Sequence, residues 1–397
     1  MTGETFTPSK SFSRMRLLGA LLIVILVAAA CVSPRLDVSW ASMTTLGDDQ
    51  NIFVAFKDRV LQISPINGAG IPLLNSQGEE RVDEQGNVRT WVVSSQQVEG
   101  AQFFSAPSLI EENTLLLPAY NERLYTVDLT TARVNNTNGE AIPGGVITNA
   151  AHIDNVYYLP LIHGGVVAME YLGEDQFAEK WHFELDDGVW SAPLVADGVV
   201  YFGAIDHNLY ALDAETGEEL WRVDLEGGIG STPRLYNDRL YVGSFARKLF
   251  VVSLNGEIVD EFSTDHWIWG TPAIADNIAY VADLGGSVYA LDISDGLNLI
   301  WRKDLGGRGI RANPLVYEDV VLVVSRDGFV YWLDSNTGEE IFNRNLEVEL
   351  LADPLLIEPS EEAGITDAMV VIATTDINRL LVAYQFDNGL KLWTHPR

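Results

Sequence analysis

Cysteine and basic residues are both scarce in this chain of 397 residues. Cys31 is its one cysteine, so an intramolecular disulfide and a cysteine-based zinc site are excluded. Lysine and arginine total 25 against 56 aspartates and glutamates, which gives a net charge of −31. Nucleic-acid affinity comes mainly from basic side chains that neutralise phosphates. The composition therefore predicts that the protein does not bind nucleic acid.

The N-terminal apolar run is too short to span a bilayer comfortably. It covers residues 17–30, directly after Arg14 and Arg16, whereas a membrane-spanning helix needs about 20 apolar residues. A short apolar run behind basic residues and ending in small residues is typical of a secretory signal. The run ends in Ala28-Ala29-Ala30-Cys31, which resembles the lipobox of bacterial lipoproteins and implies lipidation of Cys31.

We therefore expect three segments: a signal peptide or anchor helix at residues 1–30, a tether at 31–37 and a folded domain at 38–397. An uncleaved membrane anchor and a buried helix remain alternatives for the first segment. The polar stretch before Arg14 is long for a signal, so Met15 is an alternative start to Met1. Either the lipid or the anchor places the domain at the cell or outer membrane, facing the periplasm or the exterior.

Catalytic motifs are missing from the sequence. It has no His-Glu-x-x-His pair, no Gly-x-Ser-x-Gly elbow and no Walker loop. The glycine-rich stretch 227–231 is interpreted as a connection between repeats rather than a phosphate loop. Asp213, Asp292 and Asp334 are expected to cap turns through backbone N–H groups, with calcium binding as the alternative. We predict no metal site, no cofactor and no enzymatic activity.

A repeat of about 40 residues covers the rest of the chain. The complete unit has an anchor proline, an apolar strand, a second strand ending in aspartate, a Thr-Gly turn and an outer-strand aromatic, and weaker copies lack some of these. The unit is clearest at residues 191–221. The anchors are Pro107, Pro193, Pro233, Pro272, Pro314 and Pro354, with Ala151 in the place of one more. The outer-strand aromatics are Trp91, Trp181, Trp221, Phe262, Trp301, Phe342 and Trp393.

These units predict an all-β fold, an eight-bladed β-propeller of four-stranded antiparallel blades. Four short strands per unit without helical periodicity are typical of a propeller blade. No unit can bury its apolar faces alone, so the ring is expected to close. An open solenoid is the alternative, but polar capping repeats are missing. Two insertions interrupt the spacing, at residues 71–90 and 358–367. They are interpreted as flexible loops, with recognition as the alternative.

The pattern Tyr-Ala-Leu-Asp-x-x-Thr-Gly-x-x-x-Trp at residues 210–221 resembles the quinoprotein (PQQ-like) propeller repeat. WD40 repeats match less well. The resemblance implies one of two functions. Quinoprotein dehydrogenases bind pyrroloquinoline quinone (PQQ) and calcium, but the adjacent cysteine pair of the alcohol dehydrogenases cannot exist here. The chain is also similar to the non-catalytic propeller lipoproteins of the outer-membrane β-barrel assembly machinery, which dock onto a protein partner.

Aromatic and basic residues near the anchors are the candidate partner-binding site. Trp190, Trp267 and Trp269 precede anchors and are interpreted as exposed interface residues or, alternatively, as packing between blades. Arg308 and Arg311 are expected to pair with acids of neighbouring blades, or else with a partner's carboxylates. We predict a monomeric, membrane-tethered scaffold that binds a protein of unknown identity. The alternatives are a quinoprotein oxidoreductase or quinone sensor, and a carbohydrate-binding propeller.

Overall fold

The computed structural model describes residues 40–75, 77–376 and 378–396. Within them the chain forms eight four-stranded antiparallel sheets, each built from four consecutive strands. The predicted all-β, eight-bladed propeller is thereby confirmed. The predicted N-terminal helix, Cys31 and the tether lie outside the described residues. Among the residues described, no helix is long and apolar enough to cross a membrane.

The first four blades take up the chain as far as residue 224. Blade 1 contains β1 (Ser42–Leu46), β2 (Asn51–Phe56), β3 (Arg59–Ile63) and β4 (Val92–Ser94). Blade 2 contains β5 (Ser108–Glu111), β6 (Thr114–Ala119), β7 (Arg123–Asp128) and β8 (Glu140–Ala141). Blade 3 contains β9 (Ala151–Ile153), β10 (Val156–Leu161), β11 (Gly165–Gly173) and β12 (Gln176–Phe183). Blade 4 contains β13 (Leu194–Ala196), β14 (Val199–Gly203), β15 (Asn208–Asp213) and β16 (Glu219–Asp224).

The last four blades follow the same order. Blade 5 contains β17 (Arg234–Tyr236), β18 (Arg239–Ser244), β19 (Lys248–Ser253) and β20 (Ile258–Ser263). Blade 6 contains β21 (Ala273–Ala275), β22 (Ile278–Ala282), β23 (Ser287–Asp292) and β24 (Asn298–Asp304). Blade 7 contains β25 (Leu315–Tyr317), β26 (Val320–Val324), β27 (Phe329–Asp334) and β28 (Glu340–Asn345). Blade 8 contains β29 (Leu355–Ile357), β30 (Met369–Ala373), β31 (Leu381–Gln385) and β32 (Lys391–His395).

Burial follows position within the blade. The second and third strands are apolar and almost wholly buried, as in β14 and β15, because neighbouring blades cover both of their faces. The outer strands alternate between exposed and half-buried residues, as in β16. Each anchor proline lies immediately before an inner strand. Proline has no N–H to donate, and at this position the strand's hydrogen-bond ladder does not need one.

In five of the eight blades a tryptophan in or beside the outer strand joins the blade to the next. The indole N–H of Trp221 in blade 4 donates to the carbonyl oxygen of Leu254 in blade 5. The indole also lies on the turn glycine Gly256, where a Cβ atom would come within 2.8 Å of the ring. Gly256 has a positive φ of 84° as well, so both the turn and the close contact require glycine. The same indole bond occurs at Trp91, Trp181, Trp301 and Trp393.

The ring closes between blades 8 and 1. Trp393 donates a 2.7 Å hydrogen bond to the carbonyl oxygen of Pro65, and Nδ1 of His395 lies 2.7 Å from that of Gly68. Trp393 also shares an apolar cluster with Ile52 and Ile63 of blade 1. We call this interface the closing seam. It repeats the contact between other neighbouring blades, so the open solenoid is excluded.

The turn aspartates have the predicted capping role. Oδ1 of Asp213 accepts hydrogen bonds from the backbone N–H groups of Glu215 and Thr216 and from the Thr216 hydroxyl. These bonds lower the pKa of Asp213 below its usual value because they stabilise the carboxylate. Asp334 repeats the arrangement, and Asp292 accepts from the N–H of Ser294. In the described part of the chain, no three His, Cys, Asp or Glu side chains are grouped to hold a metal ion.

Candidate functional site: an aromatic and arginine stack at the channel mouth

One end of the ring carries all the connections between blades. Strand direction alternates within a blade, so these connectors and the loops between second and third strands lie at the same end. Backbone hydrogen bonds join the two sets, for example from Ile205 to Gly188 and from Phe245 to Gly228. We call this end the connector face. The opposite end, which carries the Thr-Gly turns, is the turn face.

The predicted tryptophans meet on the connector face. Trp190 lies on the connector into blade 4, and Trp267 and Trp269 lie on the connector into blade 6. The ring centroids of Trp190 and Trp269 are 6.0 Å apart, which joins connectors that enter non-adjacent blades. Trp190 is 37% exposed and Trp267 is 52% exposed, while Trp269 is half-buried. Two of the three indoles therefore remain open to solvent.

Phe245, in the loop between β18 and β19, lies between two of these indoles. Its ring stacks on Trp267 at 5.2 Å and on Trp269 at 5.3 Å, with interplanar angles of 18° and 30°. Offset stacking of this kind adds about 0.5–1.5 kcal/mol per pair to the burial of the rings. The three rings therefore form a rigid platform on one sector of the connector face.

Blades of a propeller surround a central channel. Arg311 extends the stack across the mouth of this channel on the connector face. Its guanidinium lies 4.3 Å from the ring centroid of Trp40 and 4.6 Å from that of Trp269. Trp40 precedes the inner strand of blade 1, and Arg311 precedes the inner strand of blade 7. Burial between the indoles lowers the pKa of Arg311 to about 10, so the side chain is still charged at neutral pH. Trp40 in turn contacts Phe104, which contacts Tyr120.

The two predicted arginines have different environments. Arg308 behaves as expected, because its guanidinium lies 3.6 Å from Glu349 on the next connector. Glu349 also pairs with Arg326 at 2.8 Å. Arg311 forms no ion pair within 4 Å among the described residues, but the charges of Asp353 and Glu349 on the neighbouring connector act on it. Its pairing with an acid of a neighbouring blade or of a partner therefore stays a prediction.

A polar belt lies beside the stack at the start of the inner strands. The backbone N–H of Thr232 donates to Thr271, that of Thr271 donates to Asn313, and that of Asn313 donates to Asp353. The Asn313 amide donates a second bond to Asp353 at 2.8 Å. Asp353, which accepts both bonds at the end of the belt, is exposed to solvent. The belt fixes the inner strands of blades 5 to 8 and thereby the connectors that carry the stack.

Three aromatic residues of the site, Phe104, Trp40 and Phe245, were not identified from the sequence. A usable signal existed for Phe104, because it lies three residues before an anchor proline, as Trp190, Trp269 and Arg311 do. Phe245 comes from a loop within a blade and shares no such register. Trp40 joins the stack only because the ring brings blade 1 close to the connector into blade 7.

The site has the composition of a protein interface. Tryptophan, tyrosine and arginine are enriched where one protein binds another, and partly exposed aromatic side chains often supply most of the binding energy. The rings are held by one another and by the belt, so binding would cost little side-chain entropy. The arrangement is thus suited to docking a macromolecular surface.

Comparisons with known proteins agree with this fold. The sequence profile of a family described as outer membrane protein assembly factor BamB matches residues 172–259 and 251–397, together more than half of the chain. A comparison with curated protein sequences gives no match.

Two solved structures resemble the ring. The crystal structure of BamB from Moraxella catarrhalis superposes with a TM-score of 0.65 at 17% identity, covering 87% of this chain and 94% of that one. The computationally designed Ika8 protein gives a TM-score of 0.61, also at 17% identity, covering 88% and 96%. At this identity the structures support the fold alone, and the profile supports the family. The chain belongs to the family described as outer membrane protein assembly factor BamB.

Proposed function

We propose that this protein is a non-catalytic scaffold that binds a protein partner through its connector face. The observation that carries the proposal is the stack of Trp267, Phe245, Trp269, Arg311 and Trp40, in which Trp267 is 52% exposed to solvent. The family description supports a partner that takes part in outer membrane protein assembly. In this proposal the propeller acts as a rigid monomeric platform.

The proposal includes a lipid tether at Cys31. The lipobox-like sequence before Cys31 supports lipidation, which would place the protein on the outer membrane, facing the periplasm. Mass spectrometry of the N-terminal peptide tests this directly. A diacylglycerol-modified Cys31 that disappears when the lipoprotein signal peptidase is inhibited by globomycin supports the tether. An unmodified Cys31 in an intact N-terminal segment would contradict the lipid tether and support an uncleaved membrane anchor.

The partner interface is tested by reciprocal pull-down from solubilised envelopes. The full chain is compared with the double variant Trp190→Ala, Trp267→Ala and with the control Leu299→Ala. Leu299 lies on the outer strand β24 and is 51% exposed, close to the exposure of Trp267. We expect wild type and control to recover the same partner and the double variant to lose it. Recovery of no stable partner, or equal recovery by all three, would contradict the proposal.

The non-catalytic assignment is tested by equilibrium titration with PQQ and Ca²⁺. We expect no saturable binding and no dye-linked oxidation of alcohols or sugars. Tight PQQ binding with such oxidation would contradict the scaffold assignment and show that the protein is a quinoprotein oxidoreductase. Binding to a glycan array that is lost in the Trp190→Ala, Trp267→Ala variant would instead favour a carbohydrate-binding propeller.

A further inference from the structure

The second of the two insertions that interrupt the repeat lies at the closing seam, on the turn face, beside the turn that leads into the first. The first, at residues 71–90, departs from the turn that contains Ile66, between β3 and β4 of blade 1. The second, at 358–367, lies between β29 and β30 of blade 8. Ile66 lies next to Gly364 of the second insertion. Ala363 and Ile365 are buried in the apolar cluster that blades 8 and 1 share.

Both insertions contain backbone hydrogen bonds of their own. In the first, backbone hydrogen bonds run from Arg81 to Leu73, from Leu73 to Arg89 and from Arg89 to Arg81, so three segments pair with one another in a closed triangle. In the second, Ser360 and Ile365 exchange two backbone bonds. The interpretation of these segments as flexible loops, with recognition as the alternative, stays a prediction.

A groove of about 190 Å³ lies between the turn that contains Ile66 and the second insertion. Its lining residues are Ile66, Gly364, Ile365, Thr366, Asp367, Met369, Gln385 and Leu392. Ile66 is 60% exposed and Leu392 is 43% exposed, so aliphatic surface at the groove faces solvent. Small-molecule sites usually measure about 300–1,000 Å³. The groove is better matched to one or two side chains of a macromolecular partner.

Acidic side chains are exposed along the second insertion, and one of them, Asp367, lines the groove. The others are Glu358, Glu361 and Glu362. None of the four forms an ion pair with any other residue that the structure describes. Unpaired carboxylates on the insertion that forms one wall of an apolar groove attract a partner of opposite charge and repel a second copy of a chain with net charge −31.

We propose that this groove is a second docking site, which binds a protein segment that places an aliphatic side chain between lysine or arginine residues. The aliphatic side chain fills the groove against Ile66 and Leu392, and the basic residues pair with the carboxylates of the second insertion. The site lies on the turn face and is independent of the partner proposed for the connector face. The two proposals can therefore fail separately.

The first test selects a display library of short random peptides against the full chain. We expect enrichment of peptides with leucine, isoleucine or methionine flanked by lysine or arginine. The Ile66→Ser variant should lose this enrichment, and the Leu220→Ser variant should keep it. Leu220 is a matched control because it is 53% exposed on β16, far around the ring. Selected peptides without basic residues, or bound equally by Ile66→Ser, would overturn the proposal.

Titration of a selected peptide, followed by fluorescence anisotropy, separates the apolar and charged contributions. Ile66→Ser should weaken binding about tenfold, as for a central interface residue. The double variant Glu361→Gln, Glu362→Gln should weaken it about threefold at low salt, and high salt should remove the difference. Unchanged affinity in both variants overturns the proposal. The Trp190→Ala, Trp267→Ala variant should bind the peptide as wild type does, whatever the outcome at the connector face.

Sedimentation analysis addresses the remaining occupant, a second copy of this chain. We expect monomers at all concentrations. A concentration-dependent dimer that Ile66→Ser abolishes would assign the groove to self-association and overturn the proposal.

Discussion

The indole N–H of Trp393, in the last strand, donates a 2.7 Å hydrogen bond to the carbonyl oxygen of Pro65 in the first blade. The two residues are 328 positions apart, yet their contact is the one that neighbouring blades make elsewhere, as between Trp221 and Leu254. The closing seam involves no exchange of strands between the ends of the chain, because each blade consists of four consecutive strands. Among the described residues, side chains of blade 8 hold the ring shut by bonding to backbone carbonyl oxygens of blade 1 and by packing into the shared apolar cluster.

The first prediction concerns this hydrogen bond. Trp393→Phe removes the donor and leaves the Pro65 carbonyl oxygen unpaired, which costs about 1–3 kcal/mol beyond the loss of ring volume. Trp332→Phe is the matched control, since Trp332 is also buried but its indole nitrogen has no hydrogen-bond partner in the part of the chain described. We expect Trp393→Phe to lower the free energy of unfolding in urea by more than Trp332→Phe. Equal losses would show that the seam bond contributes nothing.

The second prediction is a pH dependence of the seam. Burial lowers the pKa of His395, whose Nδ1 lies against the carbonyl oxygen of Gly68. The folded state therefore favours the neutral ring, and the unfolded chain binds more protons at mildly acidic pH. His395 stabilises the fold fully above its usual pKa of about 6.5, and this contribution is lost progressively as the pH falls from that value through the lowered pKa of the folded state.

The measurement compares the urea midpoints of wild type and His395→Gln as the pH falls from about 7.5 to about 5.5. The glutamine amide can still donate to Gly68 but does not titrate. We expect a smaller loss of stability in the variant, because all other titrating groups are shared. A parallel decline in both proteins would remove His395 as the cause.

The third prediction concerns the guanidinium between Trp40 and Trp269. A desolvated cation–π contact contributes up to about 2 kcal/mol, and a lysine cannot stack its ammonium flat between two indoles. Both Arg311→Ala and Arg311→Lys should therefore destabilise the protein and shift tryptophan emission to longer wavelength as the indoles become hydrated. Arg308→Ala, at an exposed site with one contact at 3.6 Å, should do neither. If the tryptophan emission wavelength of Arg311→Lys equals that of the wild type, a positive charge without stacking is sufficient to keep the two indoles in place.

The fourth prediction separates turn capping from calcium binding at Asp213. Asp213→Ala removes three hydrogen bonds at a solvent-screened turn and should cost about 1 kcal/mol. Acidification should remove the same contribution to stability. The hydrogen bonds lower the pKa of Asp213 in the folded state, so the loss begins below the usual pKa of an aspartate and is complete once the folded-state carboxylate is protonated. Thermal unfolding of wild type should be identical with added Ca²⁺ and with EDTA. A rise in the melting temperature with Ca²⁺ would restore the calcium interpretation.

Local pattern was sufficient to predict the blades. The anchor prolines, the apolar strands and the Thr-Gly turns all act within about 40 residues, so each unit contains the information for its own sheet. The aspartate caps followed from the same local rule, since Asp213 bonds only to the next few residues. Closure was also predictable in kind, because an uncovered blade would expose its apolar faces.

The candidate site was predictable only in part. The tryptophans were identified from their position before the anchors, but Arg311 was assigned to a carboxylate and Trp40 and Phe245 were not identified. The contacts of Arg311 join residues that precede the inner strands of blades 1, 6 and 7. The pattern within one repeat contains no information about which of these segments face one another across the axis. The two insertions were likewise located in the sequence, but not the contact of the second insertion with the Ile66 turn at the closing seam.

The sequence by itself determined the number of blades, their strands and their turns, because these depend on hydrophobic alternation and backbone preferences over a few residues. Only the tertiary structure decided what stands at the channel mouth and at the closing seam. Ring curvature brings residues from distant repeats within contact distance there, and that curvature arises from the packing of all eight sheets together.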